Sequence, residues 1–372
     1  MKIELDTLKT IPIAAPQVGD EEKQAVLAVL DSGQLAQGPV VEAFEREFAA
    51  WCGVKHAVAV NSGTAALHLL LLAHGVKEGD EVITSPFTFI ASANAALFVG
   101  ARPIFVDIEP VTYCLDPALV EAAITPRTKA IMPVDLYGHP AAIPEIHEIA
   151  KRHGIAVIED ACQAHGGAIG NHKVGALGVS ASFSFYPTKN MTTAEGGMVT
   201  TDDGQIADRV GVLRQHGAHQ RYLHDTLGYN FRLTEIAAAI GRAQLRKLDA
   251  FNERRRRNAS LLDEGLAGTS GVVTPKERPG YRHVYHQYTV RIKSDRDRFQ
   301  QRLRELGIGT AVHYPIPVHE QPLYRQLGYD GARLPEAEKA ARQVLSLPVH
   351  PGLSDADLDR IVESVRKASA TA

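Results

Sequence analysis

Only three cysteines occur among 372 residues, at positions 52, 114 and 162, too few and too scattered for a disulfide framework or a four-ligand zinc site. Cys52, Cys114 and Cys162 are expected as reduced, small core residues. Neither sign of charge dominates. Lys and Arg total 40 against 43 Asp and Glu, and a formal charge of −3 excludes the strong cationic field that general nucleic-acid binding needs. Long apolar stretches are also missing: those around 65–73 and 91–99 are interrupted by His68 and Asn94 and fall short of the ~20 residues of a membrane span. The opening Met1-Lys2-Ile3-Glu4-Leu5-Asp6 alternates charged and apolar side chains and lacks a secretory signal pattern. A cytoplasmic protein is expected, with neither a membrane nor nucleic acid among its partners. No internal repeat or low-complexity tract is present.

What is there is the composition of an ordinary globular protein, 45% apolar and 22% charged, long enough for about two to three folding units. Between 40 and 244, short β-branched runs bounded by Gly or Pro alternate with longer helical patterns, the rhythm of an α/β protein on a mainly parallel sheet. Strands are expected at 57–60, 81–84, 102–106, 130–134 and 155–159, then at 182–185 and 197–200, with crossover helices such as 65–73, 90–98 and 144–153. Asp160 therefore falls at the carboxyl end of a strand, where open α/β sheets gather ligand chemistry.

Residues 234–262 read as a long helix capped by Thr234, with Ile236, Ile240, Leu245, Leu248 and Phe251 as its apolar stripe. The four consecutive arginines at 254–257 near its far end point to different sides, so a solvated, dipole-favourable terminus is expected rather than a phosphate patch. After Gly271 the pattern changes to isolated strands, 288–292 and 310–313, and amphipathic helices, 296–306 and 334–343. A smaller α+β domain is expected there, with a frayed tail at 367–372. The division is placed between residues 1–245 and 246–372.

Three segments carry candidate chemistry. In Val58-Ala59-Val60-Asn61-Ser62-Gly63-Thr64-Ala65, a strand passes through a small polar turn into a helix, whose free N–H groups suit a phosphate or are capped by Ser and Thr alone. The turn is neither a Walker loop nor a Gly-x-Gly-x-x-Gly fingerprint, which sets ATP and NAD aside. In Val157-Ile158-Glu159-Asp160-Ala161-Cys162-Gln163-Ala164-His165, a strand delivers a carboxylate and then an amide. Asp160 suits a protonated heteroaromatic nitrogen or a helix cap; with His165 it makes too small a donor set, so no metal is expected. In Phe183-Ser184-Phe185-Tyr186-Pro187-Thr188-Lys189-Asn190, Pro187 stops a strand and leaves Lys189 on a loop with Ser184 nearby. An amine desolvated there becomes nucleophilic. A phosphate turn, a strand-end Asp and a loop Lys 29 residues later are together the parts that hold pyridoxal 5′-phosphate.

With those segments the chain resembles the DegT/DnrJ/StrS family of sugar aminotransferases. The resemblance runs from Leu35-Ala36-Gln37-Gly38-Pro39 through these motifs to Gly228-Tyr229-Asn230-Phe231-Arg232 and His313-Tyr314-Pro315-Ile316-Pro317. It implies the pyridoxal-phosphate-dependent transferase fold type I: a large α/β domain with a mainly parallel mixed sheet flanked by helices, plus a smaller α+β C-terminal domain. It also implies roles. Lys189 would be the Schiff-base lysine and proton carrier, Asp160 the partner of the ring nitrogen and Gln163 that of the ring hydroxyl. Gly63, Thr64 and Ser184 would hold the phosphate, Phe89 would stack on one ring face and Cys162 would lie at the other. Asn230 would reach the phosphate of the other subunit, making a homodimer the minimal active unit.

The same resemblance implies an amino group taken from L-glutamate and given to a nucleotide-linked keto-sugar. The segment Val312-His313-Tyr314-Pro315-Ile316-Pro317-Val318-His319-Glu320-Gln321-Pro322 is more similar to members acting at carbon 3 than at carbon 4, with His313, Tyr314 and His319 as substrate-side candidates. Asp135 stands where relatives often have His, and Glu320 where many have an apolar residue. The alternatives are a 4-keto-sugar or keto-cyclitol acceptor and, from another class, a non-catalytic PLP-binding regulatory protein. The family's dehydratase branch has His in place of the lysine, and Lys189 argues against it.

Overall fold

The computed structural model describes residues 10–178 and 180–370. The expectations for Met1 to Asp6, and for Thr371 and Ala372 in the tail, lie outside them. Two helices, α1 (Asp20–Ser32) and α2 (Pro39–Cys52), precede the alternating run. It comprises β1 (His56–Val60), α3 (Gly63–Ala73), β2 (Glu81–Thr84), α4 (Ala91–Phe98), β3 (Arg102–Phe105), β4 (Thr128–Met132), α5 (Ile143–His153), β5 (Ala156–Asp160), β6 (Ser180–Ser184), β7 (Gly197–Thr201) and α6 (Gly204–Arg214).

These seven strands form one sheet in the order β1-β7-β6-β5-β4-β2-β3. β2 pairs in parallel with β3 and β4, as do β4 with β5 and β5 with β6, while β7 runs antiparallel to both β6 and β1. This mixed, mainly parallel sheet flanked by helices is fold type I. Alternation of side chains divides its strands between two cores. Val82, Ala130 and Ile158 pack with Leu67, Leu70 and Leu71 of α3, while their neighbours Ile83, Ile131 and Val157 pack with Ile146 and Ala150 of α5. Such double burial requires nearly continuous apolar strands, which is how these segments read.

Helix α7 (Glu235–Leu266) follows, capped by the Thr234 side chain, which accepts the Ala237 N–H at 3.2 Å. Beyond it lies a three-stranded antiparallel sheet, β8 (Val272–Val273), β9 (Tyr288–Ile292) and β10 (Val344–Leu347), with helices α8 (Arg296–Glu305), α9 (Pro335–Gln343) and α10 (Asp355–Ala370). Tyr288, Val290, Phe299, Leu303, Leu345 and Val365 form its core. Ile11 joins that core from the other end of the chain and exchanges backbone hydrogen bonds with Gly307 and Gly309. The 245/246 division falls inside α7. Leu245 and Leu248 pack with Phe44 and Phe48, whereas Ala259 and Leu262 pack in the smaller core.

Three expectations are corrected. The arginines 254–257 do not end their helix: α7 continues to Leu266, and packing on several sides gives each guanidinium a protein partner. Arg254 donates to the Leu353 carbonyl, buried Arg255 to those of Tyr285 and His286, Arg256 to Glu277 and the His283 carbonyl, and Arg257 to Asp355. Residues 310–313 form no strand; only Ala311 makes an antiparallel bridge, exchanging backbone hydrogen bonds with Ser346 of β10. The tail is helical through Ala370, with Val365 and Ala368 buried. Among the described residues, no helix is long and apolar enough to cross a membrane.

Candidate active site

The carboxyl ends of β1, β5 and β6 open onto one cavity of about 460 Å³, within the size range of small-molecule sites. Ser62 at the end of β1 caps α3, its Oγ accepting the Ala65 N–H at 3.1 Å. Backbone N–H groups at the start of α3 thus face the cavity beside Gly63 and Thr64. Gly63 has no room for a side chain: a Cβ there would lie 2.7 Å from Ser184 Cβ and 2.9 Å from Cys162 Sγ. The missing Cβ lets the turn lie directly against β6.

Asp160 ends β5 and is only 4% exposed. Its Oδ2 accepts the Ser92 hydroxyl at 2.6 Å and its Oδ1 the Cys162 N–H at 3.2 Å, yet among the described residues it has no ion-pair partner. Gln163 is held from both sides. Its Oε1 accepts the Tyr137 N–H at 3.0 Å, and its Nε2 donates to the Tyr314 hydroxyl at 3.2 Å.

Lys189 follows β6 in a turn closed by its N–H to the Tyr186 carbonyl at 2.9 Å, and its side chain lines the cavity. Loss of water around the ammonium pulls its pKa below the usual lysine range, while negative charge at Cys162 and Asp160 opposes that fall. Burial, reinforced by the Asp160 charge, pushes the Cys162 thiol well up, so it is neutral near pH 7 and Asp160 is the effective counter-charge. His313 is pulled down to about 4, by burial first and the Lys189 charge second, so its ring is neutral near pH 7; Nδ1 lies 3.0 Å from Ser346 Oγ.

The structure therefore brings together Gly63, Thr64, Phe89, Asp160, Cys162, Gln163, Ser184, Lys189, His313 and Tyr314. Phe89 is 57% exposed at the rim, its ring centroid 6.3 Å from that of Tyr314. Asn230 does not line this cavity; it is exposed, and its Oδ1 accepts Arg232 Nε at 3.1 Å. His319 is not at the cavity either, which corrects its placement on the substrate side. The Pro-bounded segment turns it inward to 2% exposure, beside the Phe105 ring and with Nε2 3.8 Å from Glu338. Sequence reasoning missed Ser92, Glu195, His286 and Gln287, which line the cavity from other elements. Only His286-Gln287 carries a signal, as a polar pair at the entry to the apolar β9.

Comparison with known proteins places the chain among aminotransferases. The model of the DegT/DnrJ/EryC1/StrS aminotransferase family matches residues 16–366. The chain is 46% identical over 355 residues to a Geobacillus stearothermophilus "Pleiotropic regulatory protein", covering 93% of this chain and 95% of that one. It is 45% identical over 348 residues to the dTDP-3-amino-3,4,6-trideoxy-alpha-D-glucose transaminase of Streptomyces venezuelae, covering 93% and 92%. The structure superposes on the PLP form of the putative sugar aminotransferase Spr1654 of Streptococcus pneumoniae with a TM-score of 0.92 at 30% identity, covering 97% and 99%.

Proposed function

Because the chain belongs to the DegT/DnrJ/EryC1/StrS aminotransferase family, we propose that its cavity passes an amino group from L-glutamate to carbon 3 of a nucleotide-linked keto-sugar. That it is a pyridoxal 5′-phosphate-dependent sugar aminotransferase follows from the family; the donor, the carbon and the residue roles are our reading. The observation that carries it is one cavity holding an amine of lowered pKa, a buried carboxylate without a cation, and a helix start with no room for a side chain at Gly63. These fit the cofactor's aldehyde, ring nitrogen and phosphate.

Bound there, pyridoxal 5′-phosphate supplies an aldehyde that exchanges amines and a ring that takes up electrons as a proton leaves carbon. The chain's residues supply the rest. The α3 N–H groups with Gly63, Thr64 and the Ser184 hydroxyl hold the phosphate. Asp160, aimed by Ser92 and the Cys162 N–H, accepts the ring N–H and keeps that nitrogen protonated. Gln163, fixed from both sides, presents its amide to the ring hydroxyl. Lys189 Nζ would take a proton from the donor's α-carbon and deliver it to the carbon that was the cofactor's aldehyde. In the other half-reaction it would carry a proton from that carbon to the sugar carbon, a base role that its lowered pKa favours. Phe89 and Tyr314 wall off water, and His313 and Tyr314 face the sugar.

Asn230, exposed and outside its own subunit's cavity, serves the partner's phosphate across a homodimer. The cofactor-binding unit is taken as residues 1–245 and the smaller one as 246–372, with α7 shared between the two cores and Ile11 packed in the smaller. Three free cysteines suit a reducing, cytoplasmic setting. For carbon 3, support comes from the 312–322 segment and from the S. venezuelae relative, which is named for a 3-amino sugar.

The experiment is to convert the enzyme to its pyridoxamine form and present 3-keto and 4-keto nucleotide sugars and keto-cyclitols. Fastest return of the aldehyde-form absorbance with a 3-keto sugar is expected; preference for a 4-keto sugar refutes the assignment of carbon. The Geobacillus relative's name suggests a regulatory reading. No spectral change with L-glutamate or any other amino acid would decide for it.

A further inference from the structure

Asp135, just past β4, and Glu159, one residue before the end of β5, are both completely buried. Each carboxyl has one oxygen anchored: Asp135 Oδ1 accepts the Ala141 N–H at 2.7 Å, and Glu159 Oε2 the Gly175 N–H at 2.9 Å. The other oxygens, Asp135 Oδ2 and Glu159 Oε1, are buried and take no hydrogen bond from the described residues, while the Leu177 N–H joins that of Gly175 in favouring the Glu159 carboxylate. Val134 bridges Asp160 in parallel, which sets Asp135 and Glu159 at adjoining strand ends, and each carboxyl acts on the other's titration. The titratable groups around them are Asp160, Cys52, Cys114 and Tyr281, none of them a cation, and neither carboxyl has an ion-pair partner among the described residues.

Two adjacent carboxylates in such a place cannot both stay ionised; one proton between them supplies the missing donor and leaves a single charge. We propose that Asp135 and Glu159 hold one proton between them, and that this pair is a positioning device clamping the Tyr137 turn onto the end of β5. The direction of titration agrees: burial pushes Asp135 well above the carboxylate range and Glu159 up to about 7.

The clamp leads to the cavity by a short route. Asp135 N–H donates to the Asp160 carbonyl at 3.0 Å, and Asp160 N–H to that of Pro133 at 2.9 Å, locking the two strand ends. Two residues on, Tyr137 donates its N–H to Gln163 and its hydroxyl to the His313 carbonyl. One turn thus orients a cofactor-side amide and the segment carrying His313 and Tyr314. The roles of those residues rest on the proposed function; the shared proton does not.

The test compares holoenzyme with Asp135→Asn, whose amide is a permanent donor to Glu159, and Asp135→Leu, which offers none. Above the ordinary carboxylate pKa the native wild type keeps a proton that its unfolded chain has lost, so rising pH favours unfolding until the pair ionises. Urea unfolding from pH 5 to 7 should show the wild type's unfolding constant rising relative to Asp135→Asn by up to tenfold per pH unit, about 1.4 kcal/mol. Parallel curves overturn the shared proton, whatever the enzyme's substrate. For the positioning role, cofactor dissociation is expected to match wild type in Asp135→Asn and to be at least about tenfold easier in Asp135→Leu. Equal behaviour of the two variants overturns it; should Asp135→Leu not fold, loss of cofactor by Asp135→Asn as well does so.

Discussion

Gly63→Ala tests whether the turn before α3 is a phosphate cradle. The added methyl would meet Ser184 Cβ at 2.7 Å, Cys162 Sγ at 2.9 Å and Ser184 Cα at 3.2 Å. Ordinary contact begins near 3.4 Å, so β6 and the turn must separate by more than half an ångström. Ser184 Cβ cannot rotate away, because it is bonded directly to the strand backbone. Overpacking of this kind costs about 1–3 kcal/mol. If the strain falls on the occupied site, cofactor binding weakens about 5- to 150-fold, at about 1.4 kcal/mol per tenfold. Equilibrium dialysis read by cofactor absorbance measures that loss, and urea unfolding measures strain carried by the fold itself. Cys162→Ala added to Gly63→Ala relieves only the sulfur contact and should restore part of the loss. Unchanged affinity together with unchanged unfolding would refute the close approach of turn and strand, and the cradle with it.

Lys189→Ala should abolish transamination with its unfolding curve intact, and borohydride should fix the cofactor to Lys189 in the parent enzyme; a labelled peptide from another lysine contradicts the assignment. In cofactor-free enzyme, acylation of Lys189 should reach half its maximal rate at a lower pH than a surface lysine, since the neutral amine reacts and desolvation lowers its pKa. Asp160→Asn should move that midpoint lower still by removing the charge that stabilises the ammonium, and an upward move rejects the electrostatics. Mixed Lys189→Ala and Asn230→Ala subunits should regain about a quarter of parental activity, because random heterodimers have one complete site of two. No recovery after mixing counts against Asn230 acting across an interface.

The α/β alternation was legible because most of the sheet strands are short runs rich in apolar residues with Gly or Pro nearby, and 81–84 and 288–292 have the expected bounds. Where registers slipped, a specific interaction intervened. The strand expected at 130–134 spans Thr128–Met132 because Pro133 has no N–H for the ladder. The strand expected at 182–185 begins at Ser180 because small Ser180 and Ala181 pair with Thr201 and Thr200 of β7, a partnership invisible in their own composition. Asp160, Gln163 and Lys189 were legible because each sits in a local motif. Ser92 and Glu195 were not, since only the folded chain brings them to the cavity. His319 misled because proximity in sequence to His313 does not survive the turn at Pro317.

Helix α7 has consequences for motion. Its 32 residues, containing no proline, make a rod about 48 Å long that begins beside one core and finishes inside the other. Ile11 provides a second tether to the smaller core. A rod anchored at both ends and doubled by a strap has no joint, so entry and exit of a bulky sugar fall to the aromatic doorway of Phe89 and Tyr314 rather than to a swinging of halves.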